Sequence, residues 1–207
     1  MANIIIFGDS ITEGLYDKEK GGWANRLKIF LEEENYNFNL YNLGISGDST
    51  NEVIERFDKE MKARISDDQI IIIFAIGIND SQLVNQSPRY SLESFKENLK
   101  KLLEKSKKLT NKIVFIGLTP IDEQKVNPMP WAPGKSYMTD NLNKFDNALK
   151  ILCQENRLCF IDINKKLTDL NYKELLEDGA HPNSEGHQKM FEIIKSSLLK
   201  NNIIAKT

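Results

Sequence analysis

The chain has 207 residues, with 28 Lys+Arg against 30 Asp+Glu for a formal charge of −2, and 40% of it is hydrophobic. That is the length of one generous domain with enough apolar residues to bury a core, and the charge balance disfavours a nucleic-acid backbone or an anionic membrane surface as partner. Only two cysteines (Cys153, Cys159) and two histidines (His181, His187) occur, which argues against a disulfide scaffold or a zinc cluster, so no metal and no cofactor is expected.

The first predicted element is a strand over 3–7, a β-branched run that ends in Gly8. No basic segment precedes it and Asp9 follows directly, so neither a signal peptide nor a membrane helix is expected and the default location is the cytoplasm. Trp23, Leu27, Phe30 and Leu31 share a helical face. A strand over 38–43 ends at Gly44, and Val53, Ile54, Phe57 and Met61 mark the next helix. Residues 69–76 are apolar on both faces, as a central parallel strand covered by helices requires. Leu92, Phe95, Leu99, Leu102 and Leu103 form a third stripe before a strand over 112–118. Leu142, Phe145, Leu149 and Leu152 form a fourth before a strand over 158–163, where Asp162 reads as structural. Met190, Phe191, Ile194 and Leu198 lie on a last helix that Asn183 or Ser184 can cap.

Five strand–helix rounds imply an α/β fold, a three-layer αβα sandwich around a five-stranded parallel sheet, because parallel neighbours need crossover connections. No linker interrupts the pattern, so residues 1–207 read as one domain. Only the connection over 119–139 lacks obvious structure; it carries Pro120, Pro128, Pro130 and Pro133 together with Met129, Trp131 and Tyr137. A connection that long inside a compact domain is usually functional, and its three large side chains are candidates for an acyl or alcohol pocket, or for a lid packed on its own proline-rich body.

In open parallel sheets ligands bind outside the carboxyl ends of the strands. Those ends read Gly8-Asp9-Ser10, Gly44-Ile45-Ser46-Gly47 and Gly77-Ile78-Asn79-Asp80, and Asp178-Gly179-Ala180-His181-Pro182 precedes the last helix. Acyl transfer by a serine needs a neutral imidazole to take the hydroxyl proton, a carboxylate to hold the imidazole's tautomer, and fixed donors for the oxyanion. Ser10 sits at a sharp strand exit, and Asp178 lies three residues before His181 with Gly179 between them. Pro182 holds His181 out of the following helix. The Ser10 and Gly44 amides and the Asn79 side chain are the candidate oxyanion donors. His187, inside an amphipathic helix, reads as structural. Because a base must be unprotonated to accept a proton, activity is expected to rise with pH through the imidazole's titration.

In these four blocks the sequence resembles the SGNH hydrolases, or GDSL-type esterases and lipases. The resemblance runs from residue 8 to residue 187, with Ile11 where the family signature has Leu. It implies a flavodoxin-like sheet and hydrolysis of a small or lipid-like ester through an acyl-enzyme. Ser10 would be nucleophile, His181 base and Asp178 its orienting partner, and Ser10, Gly44 and Asn79 the oxyanion hole. The segment Gly44-Ile45-Ser46-Gly47 has its second glycine one place too early for a Gly-x-Ser-x-Gly elbow, so Ser46 is not the expected nucleophile. Two other readings stay open: a flavodoxin-like protein cradling a flavin phosphate on Ser10, Thr12 and Gly14, and a noncatalytic protein that binds an acylated ligand.

Overall fold

The computed structural model describes residues 2–65 and 69–206. An interior strand of its main sheet is β1 (Ala2–Gly8), buried along its whole length. The strand pairs in parallel with β2 (Phe38–Gly44) on one side and β3 (Gln69–Ala75) on the other. The sheet continues through β6 (Ile113–Ile116) and β8 (Cys159–Ile161) in the spatial order β2-β1-β3-β6-β8, every pairing parallel. This is the doubly wound order with a switch point between β1 and β3, which is where a crevice opens at the carboxyl edge. Ile4, Ile5, Ile6 and Phe7 in β1, and Ile71, Ile72, Ile73 and Phe74 in β3, are all fully buried, since helices cover both faces.

The covering helices are α2 (Trp23–Glu33), α3 (Thr50–Lys62), α4 (Leu92–Lys107), α6 (Thr139–Asn156) and α8 (Ser184–Lys200). Each buries the centre of the stripe read from the sequence: Trp23, Leu27 and Leu31 in α2, Val53, Phe57 and Met61 in α3, Phe95, Leu99 and Leu102 in α4, Leu142, Phe145 and Leu149 in α6, and Met190, Ile194 and Leu198 in α8, while Phe30, Ile54, Leu92 and Phe191 are half-buried at its edges. A capping box between Ser49 and Glu52 starts α3, and the Asn183 side chain starts α8 by accepting from the Gly186 N–H.

Two strands are shorter than their apolar runs. The run over 158–163 yields only β8, because the Asp162 carboxylate accepts from the Lys165 N–H at 3.1 Å and begins α7 (Ile163–Thr168). The run over 112–118 yields β6. The segment over 119–139, expected as an unstructured connection, is instead organised: it contains α5 (Glu123–Val126) and β7 (Lys135–Ser136). The latter joins β4 (Leu83–Val84) and β5 (Ser87–Pro88) in a separate antiparallel sheet, order β5-β4-β7. Two-residue strands carry too little alternation to stand out in a sequence. Cys153 and Cys159 are both free. Among the described residues no helix is long and apolar enough to cross a membrane.

Candidate active site

The site is built where β1, β2 and β3 end. After β1 the chain turns at once into the short helix α1 (Ser10–Glu13), which the Asp9 carboxylate caps by accepting from the Ile11 N–H at 3.0 Å. Asp9 is buried, and burial pushes its carboxyl up to about 7. Ser10 is the first residue of α1, so its N–H is one of the helix's unpaired donors. Its Oγ lies 2.9 Å from Nε2 of His181. On the far side of the ring, Nδ1 lies 2.7 Å from Oδ2 of Asp178, and the other oxygen of that carboxylate accepts from the Ala180 and His181 amides at 2.9 and 2.8 Å. Gly179, at φ +96°, makes this tight loop possible. Burial opposes the Asp178 charge, but the bonds from the imidazole and the two amides outweigh it and hold the carboxyl below its usual range. Facing an ionised acceptor, Nδ1 carries the ring proton, which leaves Nε2 to accept from the Ser10 hydroxyl.

Asn79, four residues beyond the end of β3, is buried, with its Nδ2 donating to the Asp48 carbonyl at 3.0 Å. It lines a cavity of about 230 Å³ together with Ser10, Gly47, His181 and all three large side chains expected at a pocket, Met129, Trp131 and Tyr137. Those three differ in kind. Met129 and Tyr137 are each 4% exposed and form the inner wall, whereas Trp131 is 49% exposed and stands at the mouth. The rings of Tyr16 and Trp131 flank His181, with centroids 5.7 and 6.5 Å from the imidazole.

Gly44 is placed differently from expectation. It is the last residue of β2, and its N–H already donates to the Asn42 side chain at 3.0 Å. Its lack of a side chain serves packing: a Cβ there would stand 2.2 Å from the Glu13 nitrogen and 2.7 Å from the Thr12 carbonyl carbon. Gly47 is the glycine that lines the cavity. At φ +86° its backbone is turned into the left-handed region. Its carbonyl faces Arg89 at 3.4 Å, and among the described residues nothing accepts from its N–H. The turn carrying it is tied down twice. Glu13 accepts from the Ser46 N–H and hydroxyl at 2.9 and 2.6 Å, and Arg56 donates to the Asp48 carboxylate at 2.8 Å and to the Leu43 carbonyl at 2.7 Å. Ser46 thus holds a loop: it lines the same cavity, but among the described residues its hydroxyl bonds Glu13 and no histidine. The signal for Gly47 was present in the sequence: a strand that ends at Gly44 places the ligand-facing turn after it, over 45–48.

Residues 6–189 match the GDSL-like lipase/acylhydrolase family. The chain belongs to that family. Its fold is similar to that of the lipase/acylhydrolase from Enterococcus faecalis, with a TM-score of 0.82 at 21% identity over 100% of this chain and 99% of the other. It is also similar to Axe2, an acetylxylan esterase from Geobacillus stearothermophilus, with a TM-score of 0.72 at 19% identity over 95% and 93% of the two chains. In sequence it is 30% identical over 128 residues to the uncharacterized lipoprotein YqeF of Bacillus subtilis, which covers 58% of this chain; the chain spans about half the length of that relative.

Of the residues that a flavin-phosphate site would use, Ser10 faces His181, and neither Thr12 nor Gly14 is open to a ligand. Thr12 is fully buried, and a Cβ on Gly14 would stand 2.3 Å from the Gly21 carbonyl oxygen, so this glycine is a close-packed helix end. His187 is likewise structural: its Nδ1 accepts from the Trp23 N–H at 3.3 Å and its Nε2 donates to the Leu15 carbonyl at 3.0 Å, which fixes the loop behind Tyr16.

Proposed function

We propose that the protein hydrolyses carboxylic esters of short acyl groups through a Ser10–His181–Asp178 triad and an acyl-enzyme. The observation that supports this reading best is the continuous relay from Ser10 Oγ to Asp178, 2.9 and 2.7 Å per step, opening into a cavity lined by Asn79 and Gly47. Ser10 Oγ attacks the ester carbonyl as its proton passes to His181 Nε2. The electron pair displaced onto the carbonyl oxygen is held by the amides of Ser10 and Gly47 and by the free N–H of Asn79 Nδ2; Gly47 takes the place expected for Gly44. Collapse of the adduct breaks the bond to the alcohol, which leaves with the proton from His181. A water deprotonated by the same nitrogen then attacks the acyl-enzyme, and the proton returns to Ser10 as the acid leaves.

The cavity also suggests a division between the two halves of the substrate. His181 must reach the leaving oxygen, so the alcohol lies by Tyr16 and Trp131, at the exposed mouth. The acyl group points inward, where buried Met129, Tyr137 and Gln82 close the space. The Geobacillus stearothermophilus fold relative is an acetylxylan esterase; here the short acyl group is assigned on the closed inner wall. The segment over 119–139 therefore serves as pocket wall in this reading. Steady-state kinetics with p-nitrophenyl esters test it. Acetate and butyrate should be turned over well ahead of octanoate and palmitate, and Ser10→Ala and His181→Ala should each lower kcat by roughly 10⁴-fold or more. Wild-type turnover in Ser10→Ala would contradict the assignment.

A further inference from the structure

Asn79 is gripped at both ends of its amide. Nδ2 donates to the Asp48 carbonyl at 3.0 Å, and Oδ1 accepts from the Tyr137 hydroxyl at 2.9 Å, with both side chains buried. A primary amide has two N–H bonds, so with one given to Asp48 a single N–H remains for a ligand oxygen. That donor helps only if the amide keeps its orientation. Nitrogen and oxygen are nearly equal in size, and an amide turned half a revolution would present its oxygen to the developing oxyanion and replace attraction by repulsion.

The Asp48 carbonyl can only accept, so it selects nitrogen on its side. The phenol of Tyr137 then supplies a donor that satisfies the oxygen on the other side, and by drawing electron density out of the amide it strengthens the remaining N–H as a donor. Burial, and the charge of Asp9 beside it, push the Tyr137 phenol above its ordinary range, so its proton stays in place. Tyr137 follows β7 directly, and the pairs Leu83↔Ser136 and Val84↔Lys135 zip β7 onto β4, a few residues after Asn79. The Tyr137 N–H donates to the Val126 carbonyl at 3.1 Å, and Asn141 Nδ2 donates to the Ser81 carbonyl at 2.6 Å, which closes the same junction.

We propose that Tyr137 is a positioning residue for the oxyanion donor Asn79, and that the three-stranded sheet β5-β4-β7 holds it in register. This rests on the ester-hydrolase reading above. Tyr137→Phe removes one oxygen and keeps the packing. On p-nitrophenyl acetate it should lower kcat about 10- to 100-fold, less than the roughly 10²–10³-fold expected for losing an oxyanion donor outright, with KM within about twofold and an unchanged pH profile. In an Asn79→Ala background the same substitution should change kcat by less than about twofold, which a merely structural role would not produce. Tyr137→Met, with an adaptable apolar side chain, should repeat both results if the Phe variant folds poorly. An active wild type matched in kcat by Tyr137→Phe, or an equal loss with and without Asn79, overturns the positioning role alone. A folded wild type that hydrolyses no ester overturns the ester-hydrolase reading itself, and the positioning role with it.

Discussion

Gly44→Ala separates a packing glycine from an oxyanion glycine. The added methyl would stand 2.2 Å from the Glu13 nitrogen, 2.7 Å from the Thr12 carbonyl carbon and 2.8 Å from the Glu13 Cα. All three are backbone atoms of α1, so no side chain can swing away, and reaching ordinary contact requires α1 to withdraw by about 1 Å. Overpacking of this kind costs about 1–3 kcal/mol, which for a chain of this size lowers Tm by roughly 2–12 °C. The same helix carries Ser10, and a displacement of about 1 Å at a reacting group is worth about 10²-fold in rate. Differential scanning fluorimetry and p-nitrophenyl acetate kinetics on one preparation should therefore show Tm and kcat falling together. A Tm equal to wild type would refute the packing argument. A fall in kcat at unchanged Tm would return the oxyanion role to Gly44.

The carboxylate of Asp17 accepts from Arg26 at 2.8 and 3.0 Å and from the Gly22 and Glu19 amides, with both charged side chains essentially sealed from solvent. Asp17→Asn leaves the buried Arg26 guanidinium with the exposed Glu19 carboxylate at 3.1 Å as its remaining charged partner, and urea unfolding should show a loss of about 3 kcal/mol; a loss below about 1 kcal/mol contradicts this. Burial pushes Asp9 up to about 7 and Asp80 up to about 6, so the folded protein binds these protons more tightly than the unfolded chain does. Stability from this source is present in full below the ordinary carboxylate range and is lost as pH rises through 6 to 7. Tm should accordingly be higher at pH 6.5 than at pH 8, and Asp9→Asn should remove most of that difference; a wild-type Tm that rises from pH 6.5 to 8 speaks against it. Asp17 and Asp178, held low, add the opposite slope only below about pH 4.

The layers of the fold were legible because each helical stripe and each central strand repeats a period over many residues. The run over 69–76 reads as covered on both faces; Ile70–Phe74 and Ile76 are buried, while Gln69 is exposed and Ala75 half-buried. Ser10, Asp178 and His181 were legible as candidates because they stand at strand ends and next to a helix start, positions that the sheet itself brings together. Gly44 misled because two glycines three residues apart look alike in sequence. Which of them faces the cavity depends on where β2 ends and on the closeness of α1 behind it. Tyr137 was readable as a pocket residue but not as the hydrogen-bond partner of Asn79, because that contact is made through two-residue strands with no visible period. Gln82 and Tyr16 had no signal: one is a polar residue in a turn, the other a tyrosine at φ +66°, and only the folded chain brings them to the cavity wall and the imidazole.

The activated nucleophile is the centre of this account, and a fluorophosphonate probe reports it without knowledge of the natural ester. The wild-type chain should carry one phosphonyl adduct, located by peptide mass spectrometry on Ser10, absent in Ser10→Ala and formed far more slowly in His181→Ala. An adduct on Ser46, or labelling of His181→Ala at the wild-type rate, would contradict it.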